Sequence, residues 1–213
     1  MERFIKRISQ KLAGDLPGID AHEIVRPRLL NGKAFELKTQ PNPRRGAVMI
    51  LFYPDKGQVF FPLIQRPDYE GVHGGQVGLP GGKFEDGDKD LVYTALRESY
   101  EEIGVHPEQV NVIGVLSEYY VAASNHLILP VVGYASQKPD FVPDLIEVAE
   151  VIEAPVNSLQ DPSTLKEREM TVRGFSMITP YYDLQNRVVW GATAAMLSEL
   201  RSVVTGVPAF GNI

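Results

Sequence analysis

The chain has no cysteine among its 213 residues. Disulfide staples, thiolate-bound zinc and a thiol nucleophile are therefore excluded, and a reducing compartment is compatible. Histidine is scarce, four in all, and His73, His106 and His126 stand too far apart to spell a metal-ligand spacing. Positive charge is in deficit: 21 Lys and Arg against 27 Asp and Glu leave a net charge of −6. That balance argues against a broad nucleic-acid-binding surface. It stays compatible with a small phosphorylated ligand, because local groups and a metal ion can reverse the field. No apolar run approaches the ~20 residues of a membrane span, and the start of the chain lacks the continuous apolar core of a signal peptide. Neither a GxSxG elbow nor a Ser-His-Asp order is present, and no P-loop appears. The expectation is a cytoplasmic protein that engages neither nucleic acid nor membrane.

What is present is ordinary globular composition, 44% hydrophobic and 23% charged. A chain this long buries roughly 70% of the surface it would expose unfolded, so a core is available. Phe4, Ile5, Ile8 and Leu12 share one helical face, which predicts a short amphipathic helix packed on the domain, with a membrane-surface helix as the alternative. Residues 14–45 carry four prolines and little periodicity and read as an irregular arm. The arm could cover its own domain or a partner subunit in a homodimer. The expected division is an N-terminal helix and arm over 1–45 and a main domain over 46–213.

From Gly46 onward the pattern changes. Residues 47–53 and 59–66 are apolar runs that predict buried strands around a turn at Pro54–Gly57. A glycine-dense stretch follows, and then Leu91 to Ile103 predicts a helix stopped by Gly104. Val110–Val115, Leu127–Tyr134 and Val148–Val156 read as further strands, Thr171 to Met177 as another, and Trp190 to Val204 as a closing helix. The order predicts an α/β fold, a mixed sheet sandwiched by helices.

The chemistry concentrates in Gly81-Gly82-Lys83 and the helix that follows. Glu98 and Glu102 are one turn apart and Glu101 lies beside them. Such carboxylates repel one another unless a cation intervenes, and Arg97, four residues before Glu101, can hold that one in place. Oxygen ligands clustered beside a glycine-rich loop suit Mg²⁺ or Mn²⁺, the usual partners of a phosphate chain.

This segment resembles the Nudix hydrolase signature, G-x5-E-x7-R-E-U-x-E-E-x-G-U with U apolar. Arg97-Glu98, Glu101-Glu102 and Gly104-Val105 match directly. Ser99 replaces an apolar residue, and one extra residue before the helix makes Asp88 the candidate for the first signature Glu. The flanks are similar to the coenzyme A diphosphatase branch: Leu63-Ile64-Gln65-Arg66, the run from His73 to Lys83, Ser124-Asn125-His126-Leu127, Pro130-Val131-Val132-Gly133, and residues 189–194. Gly71 stands where the branch usually has a second arginine, and Pro67 replaces a small residue.

The resemblance implies a Nudix-like α/β/α sandwich with a mixed sheet and an N-terminal helical arm. It implies hydrolysis of the diphosphate of a CoA-like nucleotide, giving 3′,5′-ADP and 4′-phosphopantetheine. Glu98, Glu101, Glu102 and the Gly81 carbonyl would bind the metal, and Arg97 would orient Glu101. The base would be a helix glutamate or Glu147, unless metal hydroxide suffices. Arg66, Lys83, Gly82 and His73 would meet the substrate. The alternatives are another nucleoside diphosphate substrate (ADP-ribose, NADH, a dinucleoside polyphosphate) or a non-catalytic nucleotide-sensing module.

Overall fold

The computed structural model describes residues 1–31, 33, 39–68, 74–172 and 174–209. Its helices are α1 (Glu2–Leu12), α2 (Ile19–Glu23), α3 (Leu91–Ile103), α4 (Val156–Gln160) and α5 (Gly191–Val204). Its strands are β1 (Arg28–Leu29), β2 (Arg44–Asp55), β3 (Gln58–Gln65), β4 (Val77–Gly78), β5 (Gly81–Lys83) and β6 (Asn111–Val115). They continue with β7 (Tyr119–Val121), β8 (His126–Tyr134), β9 (Glu150–Pro155), β10 (Leu165–Val172), β11 (Phe175–Leu184) and β12 (Arg187–Trp190).

The organising element is β2. It pairs parallel with β8, from Arg44↔His126 to Phe52↔Tyr134, and antiparallel with β3 and β5. Its tight turn into β3 places Lys56 and Gly57 at φ of 47° and 73°, the double positive φ that a primed hairpin turn requires. Successive side chains of a strand face opposite ways, and here both faces are buried. Ala47, Met49, Leu51 and Tyr53 share a cluster with Ala95 and Ile103 of α3. Ile50 and Phe52 share the other with Phe4 and Ile8 of α1 and Leu197 and Leu200 of α5. A mixed sheet between two helical layers follows, as the sequence predicts. Each fully buried large side chain contributes about 1.5–3 kcal/mol, so Phe52, edge-on to Phe4 with centroids 5.2 Å apart, ties α1 firmly to the sheet.

Several expectations are corrected. The predicted strand over Thr171–Met177 straddles a turn between β10 and β11, where Gly174 sits at φ 79°. These two strands, with β1 and β12, make a second antiparallel sheet that the predicted layout lacks. The arm contains a helical turn, α2, and the short strand β1. The predicted strand over Val148–Val156 is β9, and its last residue instead begins α4. His126 opens β8 and is buried.

Candidate active site

Helix α3 is fixed at both ends by its own sequence. The Asp90 side chain accepts from the Tyr93 amide at 2.7 Å, an N-cap that satisfies a donor no helical carbonyl can reach. Gly104 ends the helix in the left-handed conformation, φ 74°. Between them Ala95, Ser99 and Ile103 face the sheet, buried. Ser99, where the signature has an apolar residue, returns its hydroxyl to the Ala95 carbonyl at 2.7 Å, so no polar group is stranded. The same phase sets Glu102 inward at 2% side-chain exposure, Glu98 at the rim at 14% and Glu101 outward at 56%.

Strand β5 brings backbone to these acids. Gly81 pairs with Val48 at φ 146°, and a Cβ there would overlap the Ala47 carbonyl and the Val48 Cα. A Cβ on Gly82 would overlap the Glu98 carboxylate. Only glycine permits this approach. It lets the Gly81 amide donate to Glu102 Oε2 at 2.7 Å.

Arg97 closes the other end of the segment. Its Nε and Nη2 grip the two Asp88 oxygens at 2.8 and 3.0 Å. Its Nη1 donates to Glu98 at 3.0 Å and Glu101 at 2.8 Å, and Nη2 also reaches the Lys83 carbonyl at 3.0 Å. Asp88 further accepts from Thr94 Oγ1 and the Glu85 amide. Arg97 holds the Asp88 carboxyl far below the usual carboxylate range, with the two smaller donors assisting against burial. Asp88 is thus the anchor of Arg97, walled in at 1% side-chain exposure.

The remaining acids lack such support. Burial pushes Glu102 up to about 7, against the pull of Arg66 and the Gly81 amide, and the charges of Glu98 and Glu147 push further. Burial likewise raises Glu98 despite Arg97, with Glu101 and Glu147 adding to the rise. Glu147 reaches this group because its loop is tied to the end of α3. Val142 donates to the Ile103 carbonyl and Asp144 to that of Glu102, each at 3.0 Å. Asp144 then accepts from the amides of Ile146, Glu147 and Val148.

The structure therefore brings Glu98, Glu102, Gly81 and Gly82 together, with Glu147 near enough for its charge to be felt by both acids and Glu101 turned aside to Arg97. Arg66 Nη2 stands 3.3 Å from Glu102 Oε1. Lys83 is exposed, and its side chain points to the sheet face opposite α3, since its pairing partner is Gly46. His73 and Gly71 lie outside the described residues. Sequence reasoning missed the part of Thr94 and the pairing of Arg66. Thr94 has a local signal, a hydroxyl one turn into a helix whose N-cap follows Asp88. The Arg66 pairing has none, being 36 residues apart.

The donor set fits a hard divalent cation. It is all oxygen, the carboxylates raise one another, and the glycine cradle admits them to a backbone carbonyl. Among the described residues no three acidic or histidine side chains already stand in coordinating array. Arg66 and Arg97 hold two of the carboxylate oxygens instead.

Known proteins are similar to this chain in sequence and in fold. The NUDIX domain family model matches residues 43–171. Nudix hydrolase 15, mitochondrial, of Arabidopsis thaliana is 35% identical over 170 residues, 76% of this chain and 59% of that protein. Nudix hydrolase 22, chloroplastic, of the same plant is 34% identical, over 76% and 56%. The chain thus spans under two thirds of the length of these plant relatives. The uncharacterized Nudix hydrolase NudL of Pectobacterium atrosepticum is 33% identical, covering 64% of this chain and 70% of that one. In fold the chain is similar to a Nudix hydrolase from M. smegmatis, RenU, at TM-score 0.56 and 19% identity, over 88% of this chain and 98% of that one. No described helix is long and apolar enough to cross a membrane.

Proposed function

Because the chain belongs to the Nudix family, we propose that it is a divalent-metal-dependent diphosphatase for a nucleoside diphosphate joined to a second group, with coenzyme A or its derivatives as substrate. The observation that carries this reading is the pair of carboxylates Glu98 and Glu102, both raised by burial, set against the glycine backbone of Gly81 and Gly82. Buried carboxylates kept close without enough cations are costly unless a cation arrives to use them.

Glu98, Glu101, Glu102 and the Gly81 carbonyl would hold Mg²⁺ or Mn²⁺, and the ion would supply charge neutralisation of the diphosphate and acidify a bound water. Glu101 would have to exchange its Arg97 contact for that role. Glu147, which is exposed, would accept the proton as the water oxygen joins phosphorus. The bridging oxygen leaves with the second phosphate, giving 3′,5′-ADP and 4′-phosphopantetheine from CoA. Arg97 keeps Glu98 and Glu101 in place from behind. Arg66, Gly82 and His73 remain the proposed substrate contacts, Arg66 foremost, Lys83 being turned to the other face of the sheet, and residues 46–213 the catalytic domain under an N-terminal arm.

The CoA preference draws support from the turn that carries Glu147. Val142, Leu145 and Ile146 are 67%, 76% and 85% exposed on a turn stiffened by Asp144. Aliphatic side chains beside the proposed base suit the methyls and chain of a pantetheine arm better than a second ribose. The test is incubation with CoA, ADP-ribose, NADH and dinucleoside polyphosphates, with Mg²⁺ or Mn²⁺ and with chelator. Metal-dependent release of 3′,5′-ADP from CoA is expected. Brisk cleavage of another substrate with CoA untouched defeats the CoA preference, and no cleavage of any defeats the diphosphatase reading.

A further inference from the structure

Arg66 touches the two groups that the metal would need. Its Nη2 is 3.3 Å from Glu102 Oε1 and 3.4 Å from the Gly81 carbonyl oxygen. A guanidinium spanning a carboxylate and a backbone carbonyl takes the charge and the oxygen contacts that a divalent cation would otherwise take there.

The hold is loose. Arg97 on Asp88 and Arg28 on Glu167 are two-pronged pairs at 2.6 to 3.0 Å, the strong form of the contact. Arg66 reaches Glu102 with one nitrogen at the long end of hydrogen-bonding distance. Its side chain is 26% exposed, so its head has a way out, while Glu102 at 2% has none. Glu102 is moreover held from the other side by the Gly81 amide at 2.7 Å and stays put if Arg66 leaves.

We propose that Arg66 is a resident counter-ion of the metal seat, displaced from Glu102 and the Gly81 carbonyl when the divalent ion enters and thereby released to bind an anionic phosphate of the substrate. Metal entry and the arming of Arg66 are then one linked event, and the metal precedes productive substrate binding. The inference rests on the metal-dependent reading above, and adds to it a competitor within the chain.

Calorimetric titration of Mn²⁺ into the full chain without substrate tests it. A state in which Arg66 fills the seat lowers apparent metal affinity by the fraction of molecules so occupied, so R66A should bind Mn²⁺ roughly tenfold more tightly, with R66K between it and the wild type. The KM for the diphosphate substrate should rise in the same variant. A second measurement needs no variant: saturating Mn²⁺ should speed phenylglyoxal modification of Arg66, read by peptide mass. Folded R66A that binds Mn²⁺ no more tightly than wild type overturns the proposal, as does Arg66 reactivity unmoved by the metal. A wild-type chain that takes up no Mn²⁺ sinks the metal reading itself, a result distinct from either.

Discussion

The two ends of the segment from Asp88 to Glu102 each set a buried carboxylate against an arginine and a backbone amide, and reach opposite electrostatic outcomes. At one end Asp88 receives donors from Arg97, Thr94 and the Glu85 amide, and its charge is more secure than in water. At the other, Glu102 is as deeply buried but has one backbone donor and one distant arginine, and its charge is insecure. Burial alone therefore does not decide whether an acid serves structure; the count and geometry of donors do. The satisfied acid fixes the frame, and the unsatisfied ones hold capacity for a ligand.

The sharpest way to break that contrast is to neutralise the insecure end. E102Q keeps an acceptor for the Gly81 amide but removes the charge. Diphosphatase turnover should fall about 10³-fold, the upper range for losing one charge-stabilising group. Thermal stability of the metal-free protein should hold or rise. Loss of folding with loss of activity would mean that Glu102 belongs with Asp88 after all.

E147Q comes next. Glu147 is exposed and contributes to the cluster through its charge and not through packing. A drop of about 10²-fold in kcat, as for loss of a general base, is expected, with denaturation midpoint unchanged. An unchanged kcat would return the base to a helix glutamate or to metal-bound hydroxide.

The secure end should respond in the other currency, stability. D88N leaves an amide nitrogen facing donors from Arg97, Thr94 and Glu85, which cannot all be accepted. A loss of roughly 2 kcal/mol in urea unfolding is expected. Metal affinity should change less than in E102Q, because Asp88 does not face the open side of the cluster.

How far these two ends were legible beforehand differs for physical reasons. Helix α3, its Asp90 cap, its Gly104 stop and the Arg97–Glu101 pair are all contacts within four residues, and local pattern reveals them. The Arg97–Asp88 grip crosses a loop, and the Arg66–Glu102 contact joins a strand to a helix, so only the assembled fold shows them. Glu147 stands in the loop before β9, and its electrostatic reach to Glu98 and Glu102 depends on Val142 and Asp144 hanging from the last turn of α3. The second sheet escaped because β10 runs Lys166-Glu167-Arg168-Glu169, charged on both faces and mostly exposed, with no period-two apolar signal. Its neighbour β11 does alternate over part of its length, yet a strand without a recognisable partner gives no topology.

The smallest effect expected is a pH dependence, and it separates the two ends by window. Glu102 rises from an ordinary value of 4.5 to about 7 in the fold, chiefly through burial. Between those values the folded chain binds more protons than the unfolded one, so stability falls as pH rises, and the loss is complete only once pH has passed above about 7. Asp88 runs the other way. Its folded value lies below its ordinary one, so its contribution is fully present above the unfolded value and is lost only as pH falls below it. Urea unfolding of metal-free protein at pH 5 and pH 7.5 should therefore differ by about 1–2 kcal/mol in favour of pH 5 from Glu102 alone. E102Q should flatten that difference while D88N leaves it intact. Saturating Mg²⁺ should flatten it as well, because a cation beside Glu102 stabilises the charged form that burial disfavours. A slope that survives E102Q would place the insecure charge elsewhere and dissolve the contrast between the two ends.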